Sequence, residues 1–192
     1  MPRIGLDLPT LLHAAAELAD REGFDAVTLA SLAKKLDIRS PSLYNHVDGL
    51  DGLRRKLAIY GIEKLTAAMA RAAVGRSGDD AVRAFGHAYV SFVREHPGLY
   101  EATLRAPDGG DIELQQVSSV LLDLTVKILE PYGLAEQPAI HALRGLRSIL
   151  HGFASLEKLG GFGIPLSLDE SLERLLDIYI SGLKSYTFGA EK

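Results

Sequence analysis

The sequence predicts an all-α protein of about nine helices, and three observations predict it. Apolar residues recur three and four positions apart along almost the whole chain. The apolar–polar alternation of strands is scarce. Glycine and proline clusters punctuate the pattern at intervals. The N-terminal part predicts a three-helix unit, and the remainder predicts a larger helical body.

The first helix runs from Leu8 to Glu22, with Leu11, Leu12, Ala15, Leu18 and Ala19 on one face, and Gly23-Phe24 stops it. Thr28 is a good N-cap for the second. A short turn and a third brief helix reach His46, and a long helix, about 50–74, then carries Leu53, Leu57, Tyr60, Leu65 and Met69 at helical spacing. Breaks at Gly75 to Asp80, His96-Pro97-Gly98, 106–110, Glu130 to Pro138 and Gly160 to Pro165 divide the rest. The resulting helices span about 80–95, 98–105, 111–130, 137–159 and 168–186.

Residues 27–50 are the most informative. Val27, Leu29, Leu32, Ala33 and Leu36 supply the buried side of one short helix, and Ala33 is small enough for a second helix to approach. Asp37-Ile38-Arg39 makes a tight turn. Ser40 is read as the cap of the next helix and Pro41 as its first residue, where a missing N–H costs nothing. Leu43 and Val47 face inward. Two short helices, a three-residue turn and an apolar interior form a helix-turn-helix over about 28–47, whose second helix suits the major groove. Its outward side chains are Arg39, Ser40, Ser42, Tyr44, Asn45 and His46. Ser and Asn can meet base edges, while Tyr and His can hold phosphates. A helix start also favours Ser and Pro for its own sake, so the inference rests on the whole pattern.

Composition supports a confined electrostatic footprint. The 192 residues carry 21 basic and 25 acidic side chains, a net charge of −4. Residues 28–58 reverse that sign, with Lys34, Lys35, Arg39, Arg54, Arg55 and Lys56 against Asp37, Asp48 and Asp51, a local balance of +3. Absence of cysteine excludes a disulfide scaffold, a Cys-ligated zinc, an iron–sulfur cluster and a thiol nucleophile. No apolar run reaches 18 residues, and the N-terminus has no apolar signal region, so a cytoplasmic protein is expected.

Enzyme chemistry finds no foothold. The six histidines include no His-x-x-x-His pair and no His-Glu-x-x-His. No Gly-x-Ser-x-Gly elbow occurs, and Gly160-Gly161-Phe162-Gly163 has neither the preceding strand nor the spacing of a dinucleotide site. No metal and no cofactor are expected.

The run Gly23-Phe24, Val27-Thr28, Leu32-Ala33, Ser40-Pro41-Ser42-Leu43-Tyr44-Asn45-His46-Val47 and Leu53 resembles the TetR family of bacterial transcriptional repressors over about residues 5–65. The resemblance implies an all-α homodimer. Each protomer would join a DNA-binding domain, 5–65, to an effector-binding and dimerisation domain, 66–192. It implies that Thr28, Tyr44 and His46 touch phosphates and that Arg39, Ser40, Ser42 and Asn45, with Pro41 in the same run, read or flank bases. Two departures stand out. Leu50 occupies a position where the family often has Lys, which removes a phosphate contact that a backbone N–H at the helix start or Arg54 would have to replace. Asp37 stands where Gly is frequent, and Asp tolerates a left-handed conformation.

Further on, His96-Pro97-Gly98-Leu99-Tyr100, Arg147 to Phe153, Leu156-Glu157 and Gly160 to Gly163 resemble a C-terminal subgroup of the family known for a Trp…His-Gly signature. This chain has no tryptophan, and Arg147 stands where it would fall. Ile140, Leu143, Leu146, Leu150, Phe153 and Leu156 line one late helix; Leu168, Leu172, Leu175, Leu176, Tyr179, Leu183 and Tyr186 line the other. The resemblance makes this pair the dimer interface, while simple core packing would give the same stripes. Candidate effector contacts are Tyr60, Phe85, Tyr89, Phe92, Tyr100, Leu104, Leu121, Leu150 and Phe153, with His87 or His151 as polar anchors. Each, taken alone, is better accounted for as ordinary core. The expected function is a ligand-responsive regulator, most simply a repressor released from a palindromic operator by a small, mainly apolar effector. The alternative is a helical small-molecule binding protein whose DNA binding has degenerated.

Overall fold

A computed structural model describes residues 6–104 and 110–188, with side chains up to residue 185. The expected start at residue 5, most of the break at 106–110, the end of the helix at 105 and the Tyr186 side chain lie outside the described residues. No strand occurs among the described residues. The α-helices are α1 (Leu8–Glu22), α2 (Leu29–Lys35), α3 (Gly49–Ala73), α4 (Gly78–Glu95), α5 (Pro97–Ala102), α6 (Ile112–Leu129), α7 (Glu136–Lys158) and α8 (Leu168–Phe188). Three 3-10 segments, Phe24–Ala26, Ser40–Asn45 and Glu130–Tyr132, fall between them. The chain is all-α, and the segment expected as the third helix is the second 3-10 segment.

Two compact units result, one from residues 6–64 with 95–118 and the other from 65–94 with 119–188. In the first, the Asp7 carboxylate accepts the Thr10 N–H at 2.9 Å and starts α1. The Gly23 N–H donates to Ala19 O at 2.8 Å and closes it, with Gly23 at φ 94°. Leu11, Ala15, Leu18 and Ala19 of α1 are buried with Val27, Leu32, Ala33, Leu43, Val47, Leu53 and Leu57 in one small core. At α2 the Thr28 hydroxyl accepts the Ser31 N–H at 3.0 Å, while Ser31 Oγ accepts the Thr28 N–H at 2.9 Å. This reciprocal box fixes where the helix starts.

Two glycines admit α5 to the same unit. A β-carbon on Gly98 would lie 2.0 Å from the Ala19 carbonyl oxygen, and one on Gly61 would lie 2.8 Å from Thr103 Cγ2. Helix α5 therefore meets α1 on one side and α3 on the other at backbone distance.

In the second unit, α4, α7 and α8 bury Phe85, Tyr89, Phe92, Leu146, Leu150, Phe153, Leu172, Leu176, Ile180 and Leu183. Polar ties hold the helices in register. The Arg94 Nε–H is shared between both Glu157 carboxylate oxygens at 3.0 Å, and Arg83 bridges Glu173 and Asp177. The Tyr179 hydroxyl donates to the Ala142 carbonyl at 2.8 Å, and burial pushes that phenol well above its usual range. The stripes expected to join two copies differ from this arrangement. Leu146, Leu150, Phe153, Leu172, Leu176 and Leu183 are buried within their own unit and serve its core. Among the described side chains of α7 and α8, the large apolar ones left exposed are Leu156 and Ile178, the latter 70% exposed.

Candidate nucleic-acid interface

The reading head is built on the Thr28–Ser31 box. Leu36 caps the end of α2, its N–H donating to Leu32 O at 3.0 Å, and the chain then reverses through Asp37 at φ 52°. This is the left-handed conformation the turn requires, and Asp is among the residues that adopt it. The Ile38 N–H returns to Ala33 O at 3.0 Å and closes the turn.

The segment that follows is wound more tightly than an α-helix. Its first bond runs from the Ser42 N–H to Arg39 O at 2.9 Å, and its last from the His46 N–H to Leu43 O at 2.9 Å. Arg39 therefore occupies the cap position, without a side-chain hydrogen bond, and Ser40 is the first residue within the segment. The cap thus falls one residue before Ser40, the position that the sequence pattern predicts. Six residues with no side-chain cap and a proline near the start form too few i→i+4 bonds to sustain an α-helix.

The tighter winding has a geometric consequence. In a 3-10 helix, side chains three apart eclipse one another. Ser40, Leu43 and His46 form one row, with Leu43 fully buried and the other two half-buried. Arg39, Ser42 and Asn45 form a second row, all exposed. Pro41 and Tyr44 begin a third, and the Tyr44 ring is 59% exposed. Leu43 and Val47 anchor the segment to the core, as expected. One guanidinium, one hydroxyl and one amide are thus stacked outward, with a phenol beside them, and each can donate or accept at a base edge or a phosphate.

Electrostatics divides the six basic residues of 28–58. Lys35 pairs with Glu17 at 2.8 Å, which holds that carboxyl below its usual range. The Arg54 guanidinium lies 5.2 Å from the centre of the Phe24 ring and 3.7 Å from Asp25. Its Nε is buried with no hydrogen-bond partner among the described residues. Arg55 Nε and Nη2 donate to the two Asp111 oxygens at 2.7 and 2.6 Å, and Glu113 adds a contact at 3.0 Å. Lys34 and Arg39 are exposed and Lys56 is half-buried. Half of the expected electrostatic footprint is therefore committed inside the unit. Arg54, the substitute considered for the lysine missing at Leu50, is held against Phe24.

The proposed effector contacts divide between the units. Phe85, Tyr89, Phe92, Leu150 and Phe153 are buried in the second, and Leu121 is half-buried there. The Phe162 ring lies 5.2 Å from that of Phe153. Tyr100 is buried in the first unit, where Tyr60 is half-buried beneath Lys64 at 5.1 Å and Leu104 is exposed. His87 Nε2 contacts Glu173 at 2.5 Å, and His151 Nε2 lies 3.5 Å from Ser155 Oγ. The described residues contain no group of three or more His, Cys, Asp or Glu that could hold a metal.

Sequence reasoning missed Asp20. Its Oδ1 accepts the N–H groups of Gly98 and Leu99 at 2.9 and 2.8 Å, and its Oδ2 contacts His96 Nδ1 at 2.9 Å. A signal was present. An acidic residue near the C-terminus of a helix opposes that helix's own dipole, and here the carboxylate serves the N-terminus of another.

Two family models match this architecture. Residues 11–57 match bacterial regulatory proteins of the tetR family, and residues 82–179 match the C-terminal domain of Tetracyclin repressor-like proteins. An uncharacterized HTH-type transcriptional regulator of Bacillus subtilis (strain 168), YobS, is 45% identical over 183 residues, 95% of each chain. The chain belongs to the TetR family. A second relative, the HTH-type transcriptional regulator Rv0681 of Mycobacterium tuberculosis, is 38% identical over 156 residues, 81% of this chain and 72% of that one. Among solved structures, a protein of unknown function from Rhodococcus sp. RHA1 superposes with a TM-score of 0.81 at 25% identity, covering 96% of this chain and 99% of that one. TetR from Acinetobacter baumannii AYE shares the fold, with a TM-score of 0.70 at 18% identity over 95% and 98% of the two chains. A variant of that protein was solved in complex with minocycline. TetR-family members are transcriptional regulators and not enzymes, and this chain is a helix-turn-helix transcriptional regulator.

Proposed function

We propose that this TetR-family regulator is a ligand-responsive repressor, released from a palindromic operator by a small, mainly apolar effector. The observation that carries the DNA-reading part is the outward row Arg39–Ser42–Asn45 on a segment pinned by Leu43 and Val47. Arg39, Ser40, Ser42 and Asn45 read or flank bases, Thr28, Tyr44 and His46 meet phosphates, and Pro41 shapes the segment between them. Residues 5–65 form the DNA-binding domain. Residues 66–192 form the effector-binding and dimerisation domain. The candidate effector contacts are Phe85, Tyr89, Phe92, Leu121, Leu150 and Phe153 in the second unit, and Tyr60, Tyr100 and Leu104 in the first.

One such segment reads few base pairs, so the regulator acts as a homodimer that presents two of them about 34–36 Å apart, one turn of DNA. The dimer forms through α7 and α8, by the faces that leave Leu156 and Ile178 exposed. An effector acts by population shift. Binding the ill-fitting spacing more tightly lowers operator affinity by that difference in affinity and no more. Helix α3 transmits the change, since it begins in one compact unit and ends in the other. The family resemblance favours work in the cytoplasm.

The internal commitment of Lys35, Arg54 and Arg55, together with Leu50, favours a second reading, a small-molecule binding protein with degenerate DNA binding. Selection from a randomised duplex pool at moderate salt separates the two. Enrichment of one palindrome supports the regulator. Retention of sequence-blind duplexes that salt removes supports the alternative.

A further inference from the structure

We infer that Arg55 is a positioning residue for operator recognition, acting through a fork onto Asp111 and never on the DNA itself; the inference rests on the DNA-reading function proposed above. Arg55 belongs to the basic stretch that composition alone assigns to a nucleic-acid footprint. The geometry assigns it elsewhere. Its Nε and Nη2 meet both oxygens of one carboxylate, the two parallel bonds of a fork–fork pair, with Glu113 as a third partner. The pairing raises the guanidinium pKa above its usual value and depresses that of Asp111.

Asp111 has a second task. Its Oδ1 accepts the Leu114 N–H at 3.1 Å, and its backbone oxygen accepts the Gln115 N–H at 2.9 Å. The carboxylate that holds Arg55 therefore also starts α6, so the fork joins α3 to the rigid first turn of another helix. On α3, Leu53 and Leu57 are fully buried, and Arg55, two positions from each, projects about 200° away from both at 100° per residue. The head core grips one side of α3 and the fork grips the other. Only three residues, 46–48, separate the Asn45 end of the reading segment from Gly49 at the start of α3. A fork fixes rotation about the helix axis as well as distance. A lysine at the same place would keep the charge and lose the orientation. Loosening α3 spreads the reading segment over more poses, and the apparent affinity falls with the fraction that fits.

The test uses the full-length protein and the duplex enriched by wild type, with binding followed by fluorescence anisotropy over a salt series. Arg55→Lys and Asp111→Asn are compared with wild type. Asn retains the capping oxygen for α6, and circular dichroism confirms folding at the binding temperature. Both variants are expected to lose at least about fivefold in affinity, the lower end of a typical coupling. Both should keep the wild-type slope of log K against log salt, because no phosphate contact is removed. Affinity unchanged in Asp111→Asn would overturn the inference, and so would full retention of affinity in Arg55→Lys. So would a reduced salt slope in Arg55→Ala, since that identifies a phosphate ligand. If wild type enriches no duplex, the DNA-reading proposal fails instead, and the two failures are told apart.

Discussion

The carbonyl oxygen of Ala19 occupies the place a β-carbon on residue 98 would need, 2.0 Å from it, so α1 and α5 touch at the backbone of Gly98. Asp20, the next residue along α1, accepts the Gly98 N–H at 2.9 Å and completes the joint. A sequence break, His96-Pro97-Gly98, is thereby the fastening that brings a helix from beyond residue 95 into the compact unit of the reading head.

Gly98→Ala is expected to cost about 3 kcal/mol or more, the upper end for overpacking, because the obstacle is backbone and not a movable side chain. Gly163→Ala meets nothing within 4 Å and serves as the control, with an expected change within about 0.5 kcal/mol. Urea denaturation midpoints at constant slope measure both. Equal midpoints for the two variants would show that α5 does not need this approach.

The Thr28–Ser31 box makes a second prediction. Thr28→Ala removes the acceptor for the Ser31 N–H and should destabilise the protein by about 1 kcal/mol, whereas Thr28→Ser should be nearly neutral. Indistinguishable stabilities would mean that the box contributes nothing to the start of α2.

The helical punctuation was legible because capping and period are local. Thr28 as a cap, Gly23 as a stop, Asp37 in a left-handed turn and the inward Leu43 and Val47 all follow from residues within a turn or two of one another. The 3-10 winding of Ser40–Asn45 was not legible, because the same residues satisfy an α-helical pattern until the bonds are traced. Asp20 with Gly98 and Arg55 with Asp111 lie 78 and 56 residues apart. Pairings at that range leave no periodic trace. The late apolar stripes show the other limit. Leu150 and Leu176 have the spacing of an interface and turn out to fill their own unit's core, since burial against self and against a partner draws on the same side chains.

Acid should act on the fork. The Arg55 guanidinium holds the Asp111 carboxyl below its ordinary value of 3.8. A depressed folded-state pKa contributes stability that is fully present above the ordinary value and is lost as pH falls through the depressed one. The stability difference between wild type and Asp111→Asn should therefore be constant from pH 7 to about 5 and shrink below about pH 4. Denaturant titrations at several pH values measure it. A difference that persists undiminished into strong acid would remove the ionised fork from the account.

The rows of the reading segment separate two kinds of contact. Tyr44→Ala should weaken binding to specific and random duplexes alike. Ser42→Ala and Asn45→Ala should lose about 1–3 kcal/mol of discrimination between them. Competition binding with matched duplexes gives both numbers. Equal losses on both duplexes for Asn45→Ala would contradict its place in the base-reading row.

The most direct measurement is an anisotropy titration of the enriched palindrome and a scrambled duplex of equal length, at concentrations that also report stoichiometry. The account requires two protomers per palindrome and a preference over the scrambled duplex of at least about a thousandfold at physiological salt. Weak, equal binding to both duplexes, erased as salt rises, would contradict it and leave residues 28–47 as a fold without a reader.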